Sequence, residues 1–289
     1  MPNIQINMCD LGCGANRIGI LHGYTMIKAL KPELAAKINY LPYALEAENM
    51  KLENKKFYNT ILSASLKVYE ENLKVLNEKK VPILLGGDHS LALGSVRASM
   101  KANEQEDIGL VWIDAHADIN TFETSDTGHI HGMPVAGLVG LNDEKYNTLG
   151  FDKKIKFENL VYFATRSVDH GEAVKVAKYD ILELSDAKIY ATSFEERLEE
   201  MINHLKGKVN KVHISLDLDS INPETIKGVS TPVFGGLSID QPIKIFKRLK
   251  EEFEVVSIDI VEYNPLTDVD EMTIKYVEDL ITDIEELFN

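Results

Sequence analysis

Five short segments of this 289-residue chain are rich in β-branched and apolar residues, and several of them are apolar almost throughout: VPILL (81–85), IGLVWI (108–113), LVYFAT (160–165), KVHISL (211–216) and FEVVSIDIV (253–261). A strand with one face in water alternates apolar and polar residues, whereas a strand covered on both faces does not. These runs therefore predict strands buried in a mostly parallel sheet. Between them, KFYNTILSASLKVYEENLKVLNEKK (56–80), SFEERLEEMINHLKGK (193–208) and SIDQPIKIFKRLKEEF (238–253) space their apolar residues three or four apart, as does the closing DEMTIKYVEDLITDIEELFN. That period predicts helices. Ser193 followed by Glu196 reads as a capping box, and Ser238 reads as an N-cap. No Gly/Ser/Pro-rich linker and no internal repeat breaks the pattern, so residues 1–289 are expected to form a single α/β domain.

Composition excludes several classes of function. Hydrophobic residues make up 44% of the chain, enough for a large core. No apolar run approaches the roughly 20 residues that span a bilayer. The opening MPNIQINMCD has no basic segment followed by a long apolar one, so no secretory signal is read and a cytoplasmic location is expected. Cys9 and Cys13 are too few for a disulfide framework and read as ordinary thiols. The formal charge of −15, with no long basic stripe, speaks against a nucleic-acid partner.

Ligands of parallel sheets gather beyond the carboxyl ends of the strands. Four of the apolar runs end there in residues of the metal-binding kind. VPILL runs into GGDHS with His89, and IGLVWI into DAHAD with Asp114, His116 and Asp118. KVHISL runs into DLDS with Asp217 and Asp219, and FEVVSIDIV into EYNP with Glu262. Side chains alternate along an extended segment, so positions 114, 116 and 118 are expected to share a direction, as are 217 and 219. Four carboxylates brought together in this way repel one another unless cations neutralise them. A donor set of carboxylates and imidazoles without thiolate suits Mn²⁺, and also accommodates Fe²⁺, Co²⁺, Ni²⁺ or Zn²⁺.

In combination, GGDHS (86–90), DAHADINT (114–121), SLDLDSINP (215–223) and EYNP (262–265) resemble the ureohydrolases, the arginase and agmatinase group, over nearly the whole chain. The resemblance implies a three-layer α/β/α fold and two Mn²⁺ ions bridged by hydroxide. His89, Asp114, Asp118 and Asp217 would hold one ion, and Asp114, His116, Asp217 and Asp219 the other. Asp118 would orient the hydroxide, Glu262 would bind a guanidinium, and His131 would carry a proton to the leaving amine. Asn120 and Thr127, in and beside the TSDTGHIHG loop (124–132), resemble the arginase contacts to an α-carboxylate. Asp169 and Glu172 in RSVDHGE (166–172) resemble those to an α-ammonium. Thr231, which follows the DLDS segment, would hydrogen-bond near the metals.

The implied activity is hydrolysis of L-arginine to L-ornithine and urea. The alternatives are another ureohydrolase, acting on agmatine, guanidinobutyrate or formiminoglutamate, and an inactive scaffold of the same fold. A homotrimer or a pair of trimers is the assembly the resemblance implies. The chain departs from the family pattern at Asp126, His129 and Lys227, and in the ILHGYTMIKAL segment after GANRIG (14–19). Trp112 and His213 read as core, His213 as a satisfied buried imidazole, and Gly86 and Gly87 as a tight turn that presents His89.

Overall fold

The computed structural model describes residues 3–15, 18–48 and 53–289; Asn16 and Arg17 of the GANRIG segment lie outside the described residues. Eight strands form one sheet, and every pairing in it is parallel. In chain order they are β1 (Ile4–Met8), β2 (Ile38–Tyr40), β3 (Val81–Leu85), β4 (Ile108–Ile113), β5 (Leu160–Phe163), β6 (Leu182–Leu184), β7 (Lys211–Asp217) and β8 (Glu254–Val261). Across the sheet the order is β2-β1-β3-β8-β7-β4-β5-β6. The longer helices are α1 (Tyr58–Asn77), α2 (Ala92–Ala102), α3 (His170–Lys178), α4 (Phe194–Leu205), α5 (Gln241–Glu252) and α6 (Met272–Phe288).

Parallel neighbours need a crossover connection, and crossovers cover the sheet with helices. Helix α1 packs on α2, which lies against β4, β7 and β8, while α5 lies against β7 and β8 beside α4 and α6. The two sets occupy opposite faces. Val212, Ile214 and Leu216 of β7 join Ile258 and Ile260 of β8 and the apolar stripe of α4–α6 in one core. Leu84, Leu110 and Trp112 join Val68 of α1 and Val96 of α2 in the other. This is the three-layer α/β/α architecture expected. Among the described residues, no helix is long and apolar enough to cross a membrane.

Three strands went unread in the sequence. β1 carries the polar Asn7, β2 is only three residues long, and β6 is the half-buried LEL. Ser238 is not a helix cap. Helix α5 begins at Gln241 after Asp240, and Ser238 Oγ donates to Asp240 Oδ1 instead. Ser193 does cap α4, accepting the Glu196 N–H at 3.1 Å. A reciprocal capping box occurs at Asp169 and Glu172, at the start of α3.

Beyond β3, Gly86 and Gly87 adopt φ of 76° and 80°, a region costly for any residue with a Cβ. A Cβ on Gly87 would also come within 2.5 Å of the Cys9 carbonyl oxygen. The turn they make leads to His89. Helices α1 and α2 approach so closely that a Cβ on Gly94 would lie 2.0 Å from the Ser65 carbonyl oxygen. Gly94→Ala is therefore expected to force the helices apart and destabilise the protein by about 1–3 kcal/mol. Urea unfolding measures this, and an unchanged midpoint would contradict the contact.

Candidate metal centre

Strand register brings the predicted residues to one place. β4 and β7 pair Trp112 with Ser215 and Ile113 with Leu216, so Asp114 and Asp217 follow as neighbours. β7 and β8 pair Asp217 with Val261, which sets Glu262 one residue further out. β3 lies against β8, and His89 arrives on a short 3-10 turn, His89–Leu91.

The convergence does not use extended alternation, as the spacing had suggested. β4 stops at Ile113, and the Asp114 Oδ1 accepts the His116 N–H at 2.7 Å. β7 stops at Asp217, whose Oδ1 accepts the Asp219 N–H at 2.7 Å. Each aspartate thus bends the chain two residues ahead of itself, a local habit of short acidic side chains. Asp118 completes the bend with a left-handed φ of 49°.

Two overlapping groups of donors result: His89, Asp114 and Asp217, and Asp114, His116 and Asp219, with the donor atoms of each group within 4.8 Å of one another. Asp114 is common to both groups. The His89 Nδ1 lies 3.0 Å from Asp114, 3.3 Å from Asp118 and 3.2 Å from Asp217. The His116 Nδ1 lies 3.4 Å from Asp114 and 3.2 Å from Asp219. All six residues are buried except His116, which is half-buried. Among the described residues, no lysine or arginine forms an ion pair with any of the four aspartates.

The electrostatics of the site call for cations. Burial opposes a charge on His89, yet the carboxylates of Asp114, Asp118 and Asp217 outweigh it and hold its pKa well above the ordinary value. His116 is raised in the same way, burial being overcome by Asp219 and Asp114. Burial and then the Asp114 charge push Asp118 up to about 6, and burial followed by Asp219 and Asp114 raises Asp217. Acids forced towards neutrality beside imidazoles forced towards charge are what a missing positive charge produces. The buried His89 Nδ1 faces all three carboxylates at 3.0–3.3 Å without hydrogen-bond geometry to any described residue. The donor set, with this imidazole nitrogen turned onto three carboxylates, fits a pair of divalent ions.

A cleft of about 380 Å³ opens over the centre, lined by His116, Asp118, His131, Asp169, Glu172 and Thr231 among others. Thr231 donates to Asp219 Oδ2 at 2.8 Å. Buried Glu262 adopts φ of 67°; its Oε1 accepts the His89 N–H at 2.9 Å, and its Oε2 has no partner. His131 Nδ1 lies 3.6 Å from the Glu262 carboxylate, which outweighs the effect of burial and raises the imidazole to about 8. At the outer end, Asn120 Nδ2 donates to Asp169 Oδ2 at 2.6 Å. Thr127 is exposed, and its Oγ1 accepts the His129 N–H. Glu172 is committed to the scaffold, its two oxygens accepting the N–H groups of Ile119 and Asp169. Burial, then the Asp118 charge, pushes it up to about 8.

Residues 13–285 match the family model described as Arginase family. The chain belongs to the arginase family. It is 38% identical to an arginase of Bacillus subtilis (strain 168) over 236 residues, 79% of this chain and 77% of that one. With an arginase of Staphylococcus aureus (strain COL) it shares 33% over 275 residues, 94% and 89% of the two chains. The crystal structure of a Bacillus subtilis arginase superposes with a TM-score of 0.86 at 31% identity, covering 98% of each chain. An Entamoeba histolytica arginase in complex with L-ornithine gives 0.86 at 27% identity, covering 99% and 98%.

Several residues that hold this arginase-family site together were given no role by the sequence reading, although Asp88 and Arg166 lie inside the GGDHS and RSVDHGE segments. Trp112, read as core, is buried, but its Nε1 donates to Asp114 Oδ2 at 2.9 Å and its ring stacks on His89 at 3.8 Å. Asp88 accepts the Gly14 and Ser90 N–H groups, tying the first loop to the His89 turn, and burial pushes it up to about 6. Arg166 donates to the carbonyl oxygens of Asp219, Ser220 and Val233, bracing the loop beyond β7. Its place at the head of the RSVDHGE segment is the only hint of it in the sequence.

Chelation is expected to lower the melting temperature, because the four aspartates then repel unopposed. Mn²⁺ at about a hundred times its dissociation constant should restore about 2.7 kcal/mol. Asp217→Asn is expected to reduce the Mn²⁺ bound per chain in elemental analysis. A variant that keeps the full wild-type complement would argue against Asp217 as a ligand.

Proposed function

We propose that this chain hydrolyses L-arginine to L-ornithine and urea with two Mn²⁺ ions. The observation that carries the reading is the convergence of four aspartates and two histidines in two overlapping groups, around His89 Nδ1 and around His116 Nδ1. His89, Asp114, Asp118 and Asp217 would hold one ion, and Asp114, His116, Asp217 and Asp219 the other. When bound, such a pair lowers the pKa of water and so supplies a nucleophile at neutral pH.

The protein's own groups account for the remaining work. Asp118 accepts a hydrogen bond from the attacking water and fixes its direction. The unpartnered Glu262 Oε2 accepts from the guanidinium, a charge-assisted bond that places the central carbon over the metals. His131 stands beside Glu262 with its pKa raised to about 8, so it is largely protonated at neutral pH. It gives that proton to the departing amine nitrogen. Asn120 and Thr127 bind the α-carboxylate, and Asp169 the α-ammonium. Glu172 acts at the α-ammonium through water while its backbone contacts hold Asp169 in place. Thr231 keeps Asp219 turned towards His116. The named relatives are arginases, and one solved relative holds L-ornithine, which supports arginine as the substrate. A cytoplasmic, trimeric or hexameric enzyme is part of the same reading.

Urea release from L-arginine and from agmatine, each with metal-stripped protein and with added Mn²⁺, tests the proposal. Manganese-dependent urea from arginine alone is expected. Urea from agmatine alone would replace the substrate but keep the centre. Asp169→Ala removes one charged hydrogen-bond partner and should lower kcat/KM for arginine by about 10–100-fold. An unchanged value would release Asp169 from the substrate site.

A further inference from the structure

Behind the metal centre runs a buried polar network that the proposed reaction does not use. The His89 Nε2, on the far side of the ring from the aspartates, lies 2.9 Å from Ser215 Oγ. Ser215 donates in turn to Asp259 Oδ2 at 3.0 Å. Asp259 is wholly buried in the middle of β8, and among the described residues no lysine or arginine pairs with it. The His213 Nε2 reaches the same Oδ2 at 2.9 Å, and Ser95 of α2 donates to Oδ1 at 2.5 Å. Behind Ser95 the donors continue in one direction. Asn39 donates to Asn7, Asn7 to Asn72, and Asn72 to Ser95.

A carboxylate can only accept hydrogen bonds, so the one hydroxyl proton of Ser215 is committed to Asp259. The Ser215 oxygen is then left to accept, and the His89 Nε2 must be the protonated nitrogen. With an ion bound, the Nδ1 is then the nitrogen that offers a lone pair, on the side of Asp114, Asp118 and Asp217. Burying a carboxylate with no cation is expensive, and an apolar residue would fill the same space at lower cost. A partner that fixes the tautomer and ring orientation of a metal-binding histidine is a use that justifies it.

We infer that Asp259 is a positioning residue for the metal ion that His89 holds, acting through Ser215. The inference rests on the two-ion reading of the site. It assigns no such role to the second ion, whose imidazole comes from His116.

Mn²⁺ titration of metal-stripped protein, followed by the electron paramagnetic resonance signal of the free ion, counts bound ions and their dissociation constants without any activity assay. Wild type is compared with Ser215→Ala, Asp259→Asn and Ser99→Ala. Ser99 belongs to the same buried network through His213 Nδ1 but does not stand between Asp259 and His89. Ser215→Ala and Asp259→Asn should each weaken one ion by about 10–100-fold and leave the other near its wild-type constant. Ser99→Ala should lower the melting temperature yet keep both constants. Should Asp259→Asn not fold, Ser215→Ala, the smallest change in the chain, decides alone. Two ions bound at wild-type affinity by Ser215→Ala would overturn the inference and leave the metal reading intact. So would equal weakening by Ser99→Ala, since a general loss of stability then explains the effect. Fewer than two ions in wild type would remove both readings together.

Discussion

Four carboxylates buried side by side cannot all carry their charge, and the carboxyl end of this sheet is organised around that conflict. Asp114 and Asp217 come together at the ends of adjacent strands because β4 and β7 pair in register, and among the described residues no ion pair with lysine or arginine relieves them. The conflict surfaces in the titration of several groups nearby. His89 and His116 are driven towards charge, while Asp118 and Asp217 are driven away from it. Two divalent ions would supply the positive charge that these shifts call for.

The scaffold commits a large share of its polar groups to keeping the arrangement open. Trp112 holds Asp114, Thr231 holds Asp219, Ser215 holds His89, and Asp88 ties the His89 turn to the loop at Gly14. These bonds come from strands, from the turns directly after them, and from one neighbouring loop. The centre therefore rests on the rigid middle of the sheet, where β3, β8, β7 and β4 lie side by side. The groups at the outer end, Thr127 and Asp169, are exposed and sit on loops. Under the proposed reading, these exposed loop groups rather than the buried centre are where substrate specificity is to be sought.

The sequence was informative wherever burial and periodicity agreed. Strands such as IGLVWI are apolar throughout because helices cover both faces, and the motif residues follow directly on their ends. β1 and β2 were illegible for a physical reason: Asn7 and Asn39 are strand residues whose side chains serve the network ending at Asp259. In a linear reading they count against a strand. Asp259 and Ser215 were hidden for the converse reason, as polar residues inside strand runs whose neighbouring positions are apolar. Their meaning depends on strand register, which brings β7 and β8 together across more than forty residues of chain. His213 was legible as a satisfied imidazole, but not the partners that satisfy it, Ser99 and Asp259. The bends at Asp114 and Asp217 were misjudged as extended chain, because spacing alone does not distinguish alternation along a strand from an aspartate capping its own turn.

Crystals soaked in Mn²⁺ and measured at the manganese absorption edge test the central claim most directly. The account predicts two anomalous peaks roughly 3.5–4 Å apart, one beside His89 Nδ1 and one beside His116 Nδ1, with Asp114 between them. A single peak, or none among these six residues, would contradict it.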